Sequence, residues 1–296
     1  MKPIYVETKI NAPIETVWTY TQDPKLHEQW DLRFTSITYN EKLKEEDPQT
    51  FTYTTKVMPG ITVSGWGESK GTHEKATGEK TSSLHFGTNH QLSPIVEGKG
   101  YWHYKPSHQE TIFLTQYDYK ARFGKNVDRI FRPVIGWATA LSFNVLARWI
   151  EKGEQPRTQY KRFFSYYAII SLFIVVWLYH GLVPKVFGKH PLEIEMLQSV
   201  LPFTLSNGEL VIVVIGLLEA SYALLFFVRK LHPYLLMAQA ILFPFLTVSA
   251  VLTGPETVVA PFNVITLNLC LIVCSIIALL LRTELPTAST CVRKRR

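Results

Sequence analysis

Residues 210 to 228 read LVIVVIGLLEASYALLFFV, a stretch dominated by apolar side chains with a single acid, Glu219, near its middle. A helix of about twenty apolar residues crosses the ~30 Å hydrocarbon core of a bilayer. The stretch therefore predicts a membrane-spanning helix. A carboxylate at that depth is costly unless a polar group meets it, so Glu219 is a candidate functional residue.

Three further stretches have the length and composition of membrane spans, and they cover residues 163–183, 234–252 and 260–281. Pro244 interrupts one of them, which membrane helices tolerate. Residues 1–160 contain no comparable apolar run. Four spans in the second half of a chain of 296 residues predict a soluble domain followed by an all-α four-helix transmembrane bundle.

The positive charge of the chain is concentrated beside the predicted spans. The formal net charge is +7, and much of the excess comes from Lys152, Arg157, Lys161, Arg162, Arg229, Lys230 and residues 293–296. Anionic lipid headgroups are the nearest partners for such residues. We therefore expect membrane lipids, and no nucleic acid, as partners.

The distribution of Lys and Arg also predicts the orientation of the spans. Positive residues precede the first span, separate the second from the third and follow the fourth, whereas the other loops carry only Lys185 and Lys189. Cytoplasmic loops are the positive ones, so both termini are predicted to be cytoplasmic in a multi-pass protein of the cell membrane. The opening residues, MKPIYVETKI, lack the apolar centre of a signal peptide, which agrees with this topology.

Polar residues of the spans fall in the outer half of the predicted bundle. The set consists of Glu219, Asn268, His180, Asn263 and Lys185. One interpretation is structural: Glu219 hydrogen-bonds Asn268 or a nearby hydroxyl and locks the helices together. The other is a site that handles a proton, a quinone or another ligand.

Short strings in the second half resemble the DoxX-like membrane family. They are WLYHGLVPK at 177–185, the G-x-x-E that ends at Glu219, APFN at 260–263, TLN at 266–268 and LPTAS at 285–289. The resemblance implies a four-helix membrane bundle. The family takes its name from a subunit of a thiosulfate:quinone oxidoreductase, but this chain has no redox motif that would carry that activity over.

Apolar and polar residues alternate along the first half of the chain, as is typical of antiparallel strands. A strand near Ile4 leads into two short helices, one with Pro13 in its first turn and one that begins at Asp23-Pro24, and period-two runs follow up to residue 122. From Arg132 the apolar period changes to three or four residues, which predicts a long helix. This order resembles the α+β helix-grip fold of the polyketide cyclase and lipid-transfer superfamily (SRPBCC), in which an antiparallel sheet surrounds a long C-terminal helix.

That resemblance implies an apolar cavity for a lipid or polyketide-like molecule. The residues expected to line it come from two strands and the long helix: Phe51, Tyr53, Val57, Phe113, Tyr117, Tyr119, Trp137 and Leu141. The alternative is that these faces are ordinary core. No metal-binding, phosphate-binding or nucleophile motif is evident, and the three cysteines form no disulfide framework. No metal, cofactor or catalytic residue is therefore predicted.

The expected domains are a cytoplasmic helix-grip domain at 1–152, a basic linker at 153–162 and a DoxX-like membrane domain at 163–292. The leading hypothesis for function is a membrane-anchored module that binds a hydrophobic molecule, and enzymatic activity is not favoured. A redox-, quinone- or proton-linked accessory protein is the first alternative. A scaffold that recruits a membrane-protein partner, or that forms a homo-oligomer, is the second.

The topology is tested by labelling single cysteines in intact cells with a reagent that does not cross the membrane. We expect labelling of cysteines placed at Lys189 or Thr257 and none at Arg229 or Lys44, because only the first two lie in loops predicted to be outside. Permeabilised cells provide the control, in which all four positions should react. The reverse pattern in intact cells would contradict the orientation.

Overall fold

The computed structural model describes residues 2–42, 44, 47–58, 60–200, 207–254 and 259–295. The chain divides into two compact units. We call the first, Met1–Tyr160 together with Pro286–Arg296, the sheet unit, and the second, Lys161–Leu285, the helical unit. The loop position Thr257 and the neighbouring Pro255, which the sequence places outside the cell, lie outside the described residues.

The sheet unit is built on seven antiparallel strands in the order β1-β7-β6-β5-β4-β3-β2. Their bounds are β1 Ile4–Ile10, β2 Ser36–Tyr39, β3 Thr50–Met58, β4 Ile61–Glu74, β5 Lys80–Gly87, β6 Ile95–Ser107 and β7 Glu110–Ala121. Strands β2 to β7 pair with their sequence neighbours, and β1 pairs with β7. The sheet is therefore a series of hairpins from β2 to β7, with β1 added beside β7.

Three helices complete the sheet unit: α1 Ile14–Gln22, α2 Pro24–Trp30 and α3 Gly124–Lys152. The start of α2 is fixed locally, because the Asp23 carboxylate accepts hydrogen bonds from the backbone N–H groups of Lys25 and Leu26. Gly153 ends α3 in the left-handed conformation that glycine adopts without strain. The element order is that of the helix-grip fold, as predicted.

Stacked aromatic rings form the core between the sheet and α3. The ring of Phe113 lies 4.4 Å from that of Phe143 on α3 and 4.9 Å from that of Tyr104 on β6, centroid to centroid. All three side chains are fully buried. Each such pair contributes roughly 0.5 to 1.5 kcal/mol beyond its buried area, so these contacts hold α3 against the sheet.

The C-terminal segment belongs to the sheet unit. Val292 forms an antiparallel bridge with Glu7 of β1, and Asn144 of α3 accepts a hydrogen bond from the backbone N–H of Thr287 at 2.8 Å. The helical unit is therefore inserted between two segments of one folded body. The segment expected to be a linker, 153–162, is helical from Pro156 onwards.

The helical unit contains α4 Pro156–His180, a π-helical segment Gly181–Phe187, α5 Pro191–Val200, α6 Gly208–Leu225, α7 His232–Thr253 and α8 Val264–Arg282. Among the described residues five helices are long and apolar enough to cross a membrane. Four of them correspond to the predicted spans, and the fifth is α3, which packs on the sheet. The short helix α5 was not predicted, since ten residues are too few for a span.

Candidate functional site

A cavity of about 220 Å³ lies between the sheet and α3. A water molecule needs roughly 10 to 15 Å³ measured in the same way, so the cavity has room for an organic molecule. Its walls are largely apolar, with Phe34, Val63, Leu84, Phe86, Ile95, Trp102, Phe131 and Ile135 among them. Such a cavity with few polar groups is the usual form of a small-molecule site.

Aromatic rings of the sheet lie over glycines on the neighbouring strand. The opposed pairs are Phe51 with Gly67, Tyr53 with Gly65 and Phe86 with Gly98. A Cβ atom on any of these glycines would overlap the ring opposite it. Because the glycines have no side chain, the three rings can lie along the sheet, and this leaves the space beneath α3 open.

The predicted pocket residues separate into several groups. Phe51, Tyr53 and Tyr117 line the cavity. Phe113 and Leu141 are fully buried in the core instead.

Two other predicted pocket residues do not line this cavity. Tyr119 donates a hydrogen bond to the buried Asp128 at 2.5 Å, and Trp137 has 37% of its surface exposed. Residues on one strand face can lie in the cavity or beyond its end, which the alternation of a strand does not distinguish. The side chain of Val57 lies outside the described part of the chain.

An ion pair that the sequence analysis did not single out lies at the cavity. Arg33 donates through Nε to Asp31 Oδ1 at 2.8 Å and through Nη2 to Asp31 Oδ2 at 2.6 Å. The Asp31 side chain is fully buried, and Arg33 is part of the cavity wall. His27 Nε2 lies 3.1 Å from Asp31 Oδ2. An ionised carboxylate only accepts hydrogen bonds, so His27 is the donor.

The pair strongly favours its charged form. Burial alone would raise the pKa of the Asp31 carboxyl, but the charge and hydrogen bonds of Arg33 outweigh it and hold that pKa well below its ordinary value. Burial would lower the pKa of the Arg33 guanidinium, and Asp31 raises it instead. In the surrounding wall, burial raises the pKa of Tyr53 to about 12, so this hydroxyl stays protonated.

A second, more polar cavity of about 620 Å³ adjoins the first. The two share His27, Phe51, Leu84 and Trp102 in their walls. Lys42, Gln49 and Lys70 are among the polar residues of the second cavity. The shared side chains therefore separate an apolar chamber from a polar one.

In the helical unit the predicted acid, Glu219, pairs with Lys185. Lys185 Nζ lies 3.1 Å from Glu219 Oε2 and 3.6 Å from a carboxylate oxygen of Glu193 on α5. Only 9% of the Lys185 side chain is exposed. Glu219 Oε2 is buried and lacks a correctly directed hydrogen bond despite its closeness to Nζ, so the contact is an ion pair without hydrogen-bond geometry.

Two glycines bring this pair together. The π-helical segment approaches α6 so closely at Gly181 and Gly216 that a Cβ atom on either would collide with the carbonyl oxygen of the other. Small residues allow membrane helices to pack this closely. Lys185 follows Gly181 by about one turn and Glu219 follows Gly216 by about one turn, so the two side chains meet beside the crossing.

A cavity of about 320 Å³ in the helical unit joins most of the predicted polar residues. Glu219, Lys185, His180 and Asn268 line it. Asn268 donates to Thr247 Oγ1 at 2.9 Å, which differs from the pairing with Glu219 considered from the sequence. The side chain of Asn263 instead caps the start of α8 by accepting from the backbone N–H of Thr266.

A buried polar chain deeper in the bundle was missed by the sequence analysis. Trp177 Nε1 donates to Gln239 Oε1 at 3.1 Å, and Gln239 Nε2 donates to Ser275 Oγ at 2.7 Å. The chain joins α4, α7 and α8. The sequence contains one signal of this buried polar chain, because Gln239 is an amide side chain within an otherwise apolar span.

Comparison with known proteins places the helical unit in a family. Residues 174–276 match the model of the DoxX-like family. The uncharacterized membrane protein YndG of Bacillus subtilis is 43% identical over 185 residues, which cover 61% of this chain and 69% of that protein. The chain belongs to the same family of membrane proteins, and its helical unit is DoxX-like.

Solved structures similar to the sheet unit include a STAR-related lipid transfer protein from Xanthomonas axonopodis, 13% identical with a TM-score of 0.39, which covers 49% of this chain and 84% of that one. A second is the Zhui aromatase/cyclase from Streptomyces, 11% identical with a TM-score of 0.39, which covers 52% of this chain and 98% of that one. The helix-grip assignment itself rests on the strand order and on α3.

The Asp31–Arg33 pair generates a stability prediction. Asp31→Asn should cost about 3 to 5 kcal/mol, because it leaves the buried Arg33 charge uncompensated. The double variant Asp31→Asn with Arg33→Met should cost clearly less than the sum of the single changes. Thermal unfolding of the purified full chain, followed by tryptophan fluorescence, measures both.

The loss of stability on acidification provides a second test of the Asp31–Arg33 pair. The folded-state pKa of Asp31 lies below its unfolded value of ~3.9, so its contribution to stability is present above that pH and is lost as the pH falls further. The double variant should lack this acid-dependent loss. Additive effects of the two substitutions, together with an unchanged acid profile, would contradict a coupled pair.

Proposed function

We propose that this protein is a membrane-anchored module that binds a hydrophobic small molecule, lipid or polyketide-like, in the cavity of its sheet unit. The observation that carries the proposal is the apolar cavity of about 220 Å³ beneath α3, with its rings held along the sheet by the opposing glycines. A core selected only for stability would fill such a space, because voids cost stability in proportion to their volume. The retained space supports a binding role.

The chemistry of the walls restricts the ligand. Among the described lining residues Arg33 is the permanently charged one, and Asp31 already compensates its charge. The apolar chamber therefore favours an uncharged body, while the adjoining chamber, whose wall is more polar, can accept a more hydrophilic end. An amphipathic molecule satisfies both chambers.

Chain connectivity supports four spans with both termini on the cytoplasmic side. Residues before Lys161 and residues after Leu285 belong to the same sheet unit, so both ends of the inserted helical unit must emerge on one side of the membrane. An even number of crossings meets this requirement, and α4, α6, α7 and α8 supply four. The positive residues beside the spans support the cytoplasm as that side.

Ligand binding is tested by mass spectrometry of small molecules released from the purified full chain. Leu84 lines both chambers of the sheet unit, so Leu84→Trp should fill the space and reduce the bound molecule at least about tenfold. The matched control is Ser83→Trp, because the preceding residue on a strand faces the opposite side of the sheet. The control should retain the wild-type amount.

Two results would overturn the binding role. One is the absence of any stoichiometric molecule from wild-type protein, even after incubation with total membrane lipid extract. The other is equal amounts in the wild type and in the folded Leu84→Trp variant, which would place the bound molecule outside the cavity of the sheet unit.

A second function is favoured by the polar cluster of the helical unit. Lys185 is nearly fully buried and lies between two carboxylates at the edge of a cavity of about 320 Å³. Charged groups within membrane segments are costly and are retained mainly where they handle ions, protons or ligands. The candidate role is proton or small-ligand handling by Glu219 and Lys185, as in an accessory protein of a membrane redox system.

The variants Glu219→Gln and Lys185→Gln, singly and together, separate this role from a structural one. Contacting residues should show a coupling energy of ~0.5 to 3 kcal/mol in thermal unfolding. A proton-handling site adds a carboxyl infrared signal that responds to a pH step and vanishes in Glu219→Gln, since an amide does not ionise. Glu193→Gln, which changes the more exposed partner, is the control and should retain the signal. Coupling without that signal would assign the pair a structural role only.

A further inference from the structure

The first half of α3 carries an exposed apolar stripe. Its members recur every three or four residues and so lie on one side of the helix. Ile130 is 74% exposed, and the others are Val127 and Val134, with Phe123 at the residue before the helix. The second half of the same helix is different, because Leu141, Phe143, Val145 and Leu146 are fully buried. A contiguous exposed apolar surface of this kind marks an interaction site.

We propose that this stripe, together with its flanking basic residues, docks the sheet unit onto the anionic surface of the bilayer. Lys125 and Arg129 are exposed between the apolar positions. Asp128 is the acid within residues 122–138, and it is buried, where Arg132 Nε lies 2.9 Å from its Oδ2. The exposed side of the helix is therefore apolar and positive, the combination typical of helices that lie in the membrane interface.

The basic residues beside the stripe indicate that it docks on an anionic bilayer and not on a second copy of the chain. Two copies of the stripe packed against each other would bring Lys125 and Arg129 toward the same residues of the partner copy, and like charges oppose that arrangement. Anionic lipid headgroups complement the basic residues, and each Lys or Arg near the surface strengthens binding. The apolar side chains enter the boundary between headgroups and acyl chains.

The tether makes even weak docking effective. α3 ends at Lys152, and α4, which enters the helical unit at Lys161, begins at Pro156. A sheet unit joined to membrane spans by so few residues has a high effective concentration at the bilayer. The stripe therefore needs only a modest intrinsic affinity for the bilayer surface.

An adjacent face of the same part of α3 forms a wall of the apolar cavity. Phe131 and Ile135 line that cavity, and both alternate along the helix with members of the stripe. Docking therefore brings the bilayer to a face of α3 that adjoins the face lining the cavity. This step rests on the proposed ligand-binding function, whereas the docking itself does not.

The test uses the full chain in proteoliposomes, with an environment-sensitive NBD label on single cysteines. Cys270 and Cys274 are replaced by alanine, and the buried Cys291 is left in place. Labels are attached at Ile130→Cys in the stripe and at Gln109→Cys in the turn between β6 and β7. Lipids with brominated acyl chains quench NBD only when it reaches the acyl region.

We expect the label at position 130 to be quenched and blue-shifted in vesicles that contain phosphatidylglycerol, and the label at position 109 to be unaffected. Lys125→Gln with Arg129→Gln should lower the docked-to-free ratio about tenfold or more, since two surface charges are lost. Vesicles of phosphatidylcholine alone should reproduce much of that loss.

Equal quenching at positions 130 and 109, or none at position 130, would overturn the proposal. Protection of position 130 that depends on protein density in the vesicle and not on brominated lipid would also overturn it, because it would assign the stripe to a second copy. Failure of docking leaves the mass-spectrometric test of ligand binding unaffected, so the two proposals fail separately.

Discussion

The space beneath α3 depends on aromatic rings that lie along the sheet instead of projecting from it. Phe51, Tyr53 and Phe86 each cover a glycine on the strand beside them. A larger residue at any of those glycines would force the ring toward α3, and overpacking of that kind costs about 1 to 3 kcal/mol. The glycines thus decide how much of the sheet's concave side is core and how much is cavity.

Each unit has an ion pair in the wall of its cavity, and these two pairs differ in kind. Asp31 and Arg33 make two directed hydrogen bonds, lie two residues apart in the chain, and compensate each other fully. Lys185 and Glu219 come from different helices, and Glu193 adds a second carboxylate. The Asp31–Arg33 pair resembles a fixed part of the cavity wall, since the two charges compensate each other. The second arrangement places two carboxyl groups beside one ammonium group.

The helix α3 shows how one sequence pattern can serve two environments. Its composition satisfies the length and hydropathy of a membrane span, yet its second half is buried against the sheet. The apolar excess in its first half remains exposed. Hydropathy reports how apolar a segment is and contains no information about whether lipid or protein covers it.

The fold class and the apolar helices of the helical unit were predictable from the sequence, because these follow from local composition and from periods of two and three to four residues. The side-chain partners were not predictable in this way. Glu219 was recognised as an acid within a span, but its contact with Lys185 depends on the close crossing at Gly181 and Gly216. Phe113 and Tyr117 share a strand face, yet one is core and the other lines the cavity.

The return of the C-terminal segment to β1 was also beyond the sequence pattern, since Val292 and Glu7 meet only in the folded chain. Local patterns determine which segments are strands, helices and spans. Tertiary structure alone decides which distant residues meet, because register, helix crossing and cavity shape depend on the whole set of packed elements at once.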